Sequence, residues 1–518
     1  MDTENKAVFK TYAVKQQMLL PPSLDELIPT GHLVRVIDHT LDQIDTKPLI
    51  AAYPGGGASS YHPLMMLKVL VYAYSQKIYS CRQIAGALRE NVVFMWLSGG
   101  NTPDFHTINR FRSGPLKKTL EELFTSLTEH LINEGHVSMK YYFLDGTKIE
   151  ADAGKYTWVW KRATDKFSMR LSNQVKDLWD HIDKVNEEED RIYGDRGYNE
   201  PLPDDKPLSE IVDELSKKIN ERLKKLPENK ELKKIKKKID KDYKPRSEKY
   251  DDQLTLFKGR NSYSKTDHDA TFMRMKEDAM KNGQLKPGYN VQIGTENQFI
   301  LTYSLHSNPG DFGTFIPHMK KIEKMLGHYP ERVIADSGYG NEENYEFCDS
   351  NGIEKYIKFS YFHKEQKRKY KKNQFNKDNW PYDPETDTYF CPHDKPFLPE
   401  YERVKTTASG YEYIEKIYSG PGCRGCPDRK FCTKGSGDRK IQRRDKLERH
   451  KSEVRKLLLS EEGLKMRSLR PIEPESVFGQ IKKNMGFKRF HLRGHENVTT
   501  EWGIVSMAHN LKKLANQI

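Results

Sequence analysis

Long apolar runs are missing from this chain. No stretch of about 18 consecutive apolar residues occurs, so no membrane-spanning helix is expected. The start, from Met1 to Lys10, lacks the apolar core of a secretory leader. Cysteine is scarce, with 6 in 518 residues. That is too few for a disulfide scaffold, and it fits a reducing cytoplasm in which clustered thiols more often hold metal. A phosphate loop is absent as well: no Gly-Lys-Ser/Thr follows Pro54-Gly55-Gly56-Gly57, which reads as a linker. There is no internal repeat. Apolar residues make up only 36% and mean hydropathy is −0.84, which implies a very polar surface.

What is present is length, charge and local pattern. A chain of 518 residues is long enough for two to four units. Lys and Arg total 87 against 74 Asp and Glu, a net charge of +13. That excess suits a polyanionic partner such as DNA, and equally a solvated basic surface.

Residues 61–113 read as compact helices. Pro63 can open the first, which carries Leu64, Leu67, Val71 and Tyr74. Ser80 can cap a second, and Asp104 a third bearing Asn109, Arg110 and Arg112. Two readings stay open for this part: a helix-turn-helix-like DNA reader, or a helical bundle with a basic rim. Residues 141–151 have strand composition. Residues 165–260 are charged and helical, an inserted hairpin or arm whose lysine runs form a solvated face or touch phosphate. Tyr289–Gly294 and Phe299–Leu305 flank Asn297 as a hairpin-like pair. A helix pattern follows through Ile316 and Met325. Val333-Ile334-Ala335 then forms a short strand ending at Asp336, with another strand at 356–359. Helices are expected at 447–467 and 473–490. This order predicts an α/β fold with a ribonuclease-H-like catalytic core. The expected division is an all-α domain over 1–135 and a catalytic domain over 136–518. The latter carries a charged helical insertion at about 160–262 and a cysteine-containing insertion at about 375–445.

Three acids suit phosphodiester chemistry, in which carboxylates hold two divalent cations about 4 Å apart. Asp145 sits within a strand, although Asp145-Gly146 is also a turn signal. Asp336 ends a strand, where α/β sheets present ligands, although a helix cap would serve equally. By its pattern Glu475 opens a helix on which Lys482 shares its face two turns later. Glu473 and Glu501 are rivals for the third acid. Hard oxygen ligands of this kind suit Mg²⁺ or Mn²⁺.

Taken together, the ordered motifs resemble the DDE transposases of bacterial insertion sequences. They are Tyr61-His62-Pro63, Tyr79–Ala85, Pro103–Arg112, Asp145–Lys148, Thr266–Ala270, Gly288–Gln292, Ala335–Tyr339, Glu475–Lys482 and Ala508–Leu511. The resemblance implies that Asp145, Asp336 and Glu475 hold Mg²⁺ (or Mn²⁺) and that Lys482 contacts phosphate. It implies double-stranded DNA as partner, both the terminal inverted repeats of the element and the target. It also implies a homodimer in the paired-end complex, and action on the bacterial nucleoid within the cytoplasm. Related families place Tyr, two residues, Arg, three residues, then Glu. Here those Tyr and Arg positions hold Ser468 and Pro471, with Arg467 and Arg470 one residue off. A nuclease that only cuts and a transposase-derived DNA-binding protein are the alternative readings.

Four cysteines remain. Cys423, Cys426 and Cys432 are spaced C-x2-C-x5-C, and Cys391 lies upstream. They are candidate ligands of a structural Zn²⁺, with His393 as a possible substitute and reduced free thiols as the alternative. Cys81 and Cys348 fall at apolar positions and read as core.

Overall fold

The computed structural model describes residues 23–53, 59–193, 206–225, 227–275, 283–420 and 422–517, with 183–193 as backbone only. The loop signal at Leu20-Pro21-Pro22 and the linker Pro54–Gly57 lie outside the described residues. The chain forms two compact units, Met1–Leu123 with Met507–Ile518, and Phe124–Ser506. The architecture is mixed α/β. No helix among the described residues is long and apolar enough to cross a membrane.

In the first unit, the helix Pro63–Ser75 opens on its proline and is buried on nearly every face from Met66 to Ser75. Its one lysine, Lys68, is neutralised by Asp38 at 2.6 Å and Asp42 at 2.7 Å. The helix Cys81–Glu90 begins after Ser80, whose side chain makes no capping bond. The helix Phe105–Ser113 is capped by Asp104, which accepts from the Thr107 amide at 2.7 Å. Arg112 is committed inward: it is buried, donates to the Tyr74 hydroxyl at 3.0 Å and bonds Asn109 Oδ1 at 3.1 Å. Only Arg110 of that pair is left exposed.

The second unit is built on a six-stranded sheet. Its strands are β1 (Tyr141–Glu150), β2 (Thr271–Arg274), β3 (Leu285–Glu296), β4 (Phe299–His306), β5 (Arg332–Ala335) and β6 (Glu354–Ile357). The order is β2-β3-β1-β5-β6, with β4 also on β3. β1, β5 and β6 run parallel, while β3 is antiparallel to β1, β2 and β4. The β3–β4 hairpin turns on Asn297 (φ 51°) and Gln298 (φ 63°). Two positive φ values make the turn whose twist matches paired strands, and Asn tolerates that region better than most residues.

Two insertions interrupt the sheet. The helices Lys161–Tyr193, Leu208–Lys225, Lys230–Lys238 and Lys244–Phe257 lie between β1 and β2. They are not a bare hairpin or arm. Leu171, Val175, Trp179, Ile211, Leu215 and Ile219 are among the buried side chains of their own apolar core. The lysine runs stay on the outside; the helix Lys230–Lys238 buries only Leu232. The second insertion holds a five-stranded antiparallel sheet within residues 382–443, which the sequence pattern did not suggest.

Past this insertion the helical backbone runs from Glu461 through Arg470 to Asn484, with π-type turns at Pro471–Glu475 and Gln480–Asn484. Pro474 lies inside it. A proline there removes an amide donor and crowds the preceding turn, and a wider π turn relieves both. The helix stops near Met485, where Gly486 takes a φ of 72°, rather than at 490. Glu475 lies within it and does not open it.

Candidate active site

The parallel pair β1 and β5 sets up the site. Tyr141 lies beside Arg332, Tyr142 beside Val333 and Phe143 beside Ile334. Continuing that register by two residues brings Asp145 abreast of Asp336. Pairing stops two residues earlier, so the two carboxylates project where the strands part. Apolar residues fix β1 there: Tyr142, Phe143 and Leu144 are all buried. Asp145 is itself buried, and Asp336 accepts from the Gly338 amide at 2.7 Å.

Arg470 joins the three predicted acids. Its guanidinium lies 3.1 Å from Asp145, 3.6 Å from Asp336 and 4.0 Å from Glu475. A buried carboxylate needs a cation or several donors, and Arg470 meets that need for residues drawn from two strands and a helix. The π turn also explains the sequence register. Arg470 precedes Glu475 by five residues, and a turn that closes over five residues rather than four puts both on one face. The extra residue that displaces Arg467 and Arg470 from the related families' spacing is absorbed in that turn.

Lys482 reaches the same strand. Its ammonium donates to Thr147 Oγ1 at 2.7 Å, and both side chains are buried. Thr147 is two residues from Asp145 and so shares its face of the sheet. The rival acids are engaged elsewhere. Glu473 accepts from the Gln298 amide at 2.7 Å. Glu501 is fully buried and accepts from the amides of His491 at 2.9 Å and Leu492 at 3.0 Å. Glu475 has a side chain 56% exposed, which leaves it open to a ligand.

Sequence reasoning missed a fourth carboxylate, Asp311. It accepts from Asn290 Nδ2 at 2.8 Å and Gln292 Nε2 at 3.1 Å. A Cβ at Gly146 would come within 2.3 Å of Gln292 Nε2 and 2.9 Å of Asp311 Oδ1, and one at Gly338 would lie 2.9 Å from Asp336 Oδ1 and 3.5 Å from Asp311 Cβ. The glycines beside both strand acids are thus what lets Asp311 approach them. The signal was in Gly288–Gln292, since Asn290 and Gln292 alternate onto one face of β3, but Asp311 itself lies in a loop with no pattern. Below them Tyr339 is fully buried and donates to Gln292 Oε1. Burial first, then the charges of Asp311, Asp145 and Asp336, hold its hydroxyl well above the usual phenol range. From the end of β6, Lys358 faces the site. Burial, then Arg470 and Arg467, push it below the usual lysine range, against Asp336 and Glu475.

Of the residues predicted as zinc ligands, Cys391, Cys423, Cys426 and Cys432 line one small cavity in the second insertion, together with His393. Cys81 and Cys348 are buried. A different group, Asp349, His450 and Glu453, has ligand atoms within 4.8 Å of one another. The Lys355 ammonium serves it, bonding Asp349 and lying 3.5 Å from Glu453 and 3.2 Å from His450 Nδ1, so this cluster is a charge network with its own cation.

Comparison with known families gives two matches. Residues 390–515 match the family described as Transposase DDE domain, and residues 22–114 match that described as Transposase domain (DUF772). Segments toward both ends of the chain thus match transposase families, and the resemblance to DDE transposases of bacterial insertion sequences is borne out. The first match contains Arg470, Glu475, Lys482 and the four clustered cysteines; Asp145 and Asp336 lie before it. No curated protein and no solved structure matches the chain.

Proposed function

We propose that this chain is an insertion-sequence transposase that cuts DNA at the element ends and joins the freed 3′ ends to a target. One observation carries the reading. Asp145, Asp336 and Glu475, far apart in sequence, all lie within 4.0 Å of the Arg470 guanidinium, and Lys482 bonds Thr147, two residues from Asp145. The core is read as ribonuclease-H-like because β4-β3-β1-β5-β6 has the order three-two-one-four-five, with the acids on the central parallel pair.

The residues fit a hard divalent cation. The donors are carboxylate oxygens, which Mg²⁺ and Mn²⁺ prefer, and Arg470 already marks a place for positive charge. When bound, such ions activate the attacking oxygen and stabilise the leaving one. Asp145, Asp336 and Glu475 would hold them. Asn290 and Gln292 orient Asp311 toward the same space. Lys482, fixed by Thr147, presents a cation beside Asp145 for a phosphate. Arg470 and Lys358 add positive charge where a DNA backbone would enter. The helical unit is assigned to holding the element end, and pairing of two ends makes a homodimer the working form.

The test is cleavage of DNA carrying the element end, with Mg²⁺ or Mn²⁺, by wild type and Glu475→Gln. Metal-dependent cutting by the wild type alone supports the reading. Cutting retained in the variant removes Glu475 from the site. Specific binding with no cutting by the wild type favours a transposase-derived binder instead. Joined products separate a transposase from a nuclease.

A further inference from the structure

We propose that Cys391, Cys423, Cys426 and Cys432 are the four thiolate ligands of a structural zinc ion that fastens residues 422–439 to the sheet beside them. The site is separate from the carboxylates and does not rest on the transposition reading.

The first argument is what else could hold this segment. Among its described residues, 422–439 contains no buried side chain. Its two helical turns, Cys423–Gly425 and Arg429–Cys432, bury nothing. Among the described residues the apolar cluster of the adjoining sheet that faces this segment is small, with Trp380, Tyr389, Phe397, Tyr418 and Ile441 buried, and Cys391, Cys423 and Cys432 pack against it. A core that small does not order an attached polar loop by burial alone, and domains of this size commonly add a metal or a disulfide.

The second argument is placement. Four of the chain's six cysteines surround one cavity of about 30 Å³. That volume admits a single ion or water and excludes an organic ligand. The Cys426 amide bonds the Cys423 carbonyl at 3.3 Å, a tight turn, and both residues line the cavity. Cys391 closes the set from the end of a strand, Thr388–Phe390. His393 is already paired with Asp428 at 3.0 Å, which leaves the four thiols as ligands. The sulfurs ring the cavity without having converged. Zinc binding would turn the side chains inward, to zinc–sulfur distances of about 2.3 Å.

The third argument is charge. Four thiolates around Zn²⁺ leave two net negative charges, which low-dielectric surroundings do not tolerate unaided. Arg439 donates to Cys432 Sγ at 2.8 Å, a charge-assisted bond that favours thiolate. Arg429 lines the same cavity, and its Nη1 is buried without a hydrogen-bond partner. Lys395 lies on the rim. Thiolates also select zinc over Mg²⁺, so the two metal sites would not exchange ions.

The experiment uses the full chain expressed in zinc-replete medium. Elemental analysis is expected to give about one zinc ion per chain. Cys423→Ser and Cys426→Ser are expected to lose it, while Cys81→Ser and Asp145→Asn keep it. Cobalt exchange is expected to produce the charge-transfer and d–d bands of tetrahedral thiolate coordination. Because the serine variants could misfold, the wild type carries a second readout: the four thiols resist alkylation until a chelator is added. Wild-type protein with no zinc and no cobalt–thiolate bands would overturn the proposal. So would disulfides among these four cysteines in the native protein.

Discussion

Arg470 donates to Asp145 at 3.1 Å although 325 residues separate them in sequence. The guanidinium is mostly buried, and its Nε has no hydrogen-bond partner, so its orientation is set by the acids it faces. The same cation lies within reach of Asp336 and Glu475, so one guanidinium supplies positive charge to all three carboxylates.

Removing this cation should therefore have two opposite effects. Arg470→Gln leaves Asp145 buried without its ion pair, and the loss is expected to reach roughly 3 kcal/mol in metal-free buffer. Added Mg²⁺ should then raise the melting temperature of the variant more than that of the wild type, because the competing cation is gone. Thermal melts of both proteins with chelator and with Mg²⁺ make the comparison. Equal Mg²⁺ shifts would mean that Arg470 does not occupy the cation position.

The π turn at Pro471–Glu475 gives a second test. If it exists to absorb one extra residue, deleting exposed Ile472 should convert it to an ordinary α turn. Arg470 and Glu475 would then be four residues apart and still share a face. The deletion is expected to keep the fold and to keep cleavage within about tenfold. A deletion in most helices rotates everything beyond it by about 100° and would abolish activity. Complete loss of cleavage here, with the protein folded, would refute the register argument.

Asp311 is expected to matter although no motif contains it. Asp311→Asn keeps the shape but removes the charge that Asn290 and Gln292 hold toward the strand acids. Cleavage should fall roughly 10- to 100-fold, the range for groups that support metal ligands, with little change in melting temperature. Asp311→Asn that cleaves like wild type would make it a structural anchor of the loop after β4.

Much of the core was legible because its signals are local. Alternating apolar residues marked β1, β3 and β4, and Asn297 marked their turn. An apolar tripeptide marked β5 and the acid beyond it. The features that were missed depend on distant partners. Nothing near Asp311 indicates that Gly146 and Gly338 make room for it. Arg470 looked displaced because it was set against the related families' sequence spacing, in a segment containing Pro471 and Pro474 whose backbone makes a wider turn. The five-stranded sheet of the second insertion was hidden by its composition: Pro396–Thr406 buries little besides Phe397, so it lacks the apolar alternation of a core strand. Arg112 read as a rim residue because helical periodicity does not reveal that Tyr74 offers it a buried acceptor.

A pair of histidines, His318 fully buried and His306 half-buried, predicts how the second unit responds to acid. His318 is fully buried, its Nε2 lying 2.7 Å from the Tyr142 hydroxyl and its Nδ1 2.8 Å from Ser304 Oγ, and Ser304 also bonds His306 Nε2 at 2.8 Å. Burial, then the nearby His495 and Lys321, lower His306 from 6.5 to about 4, and burial drives His318 down in the same direction. Both rings are therefore neutral in the folded protein at pH values where the unfolded chain has begun to protonate them. The unfolded state binds more protons in that window, so stability falls as pH drops from about 6.5 toward 4. For His306 the full loss is on the order of 3 kcal/mol. Below its folded value the ring protonates in both states and adds no further loss. His306→Gln retains a partner for Ser304 and cannot take up a proton, so its stability should decline less steeply across the same interval. Denaturant unfolding of wild type and variant at several pH values measures the difference. Parallel curves would show that His306 protonates in the folded state as readily as in the unfolded one.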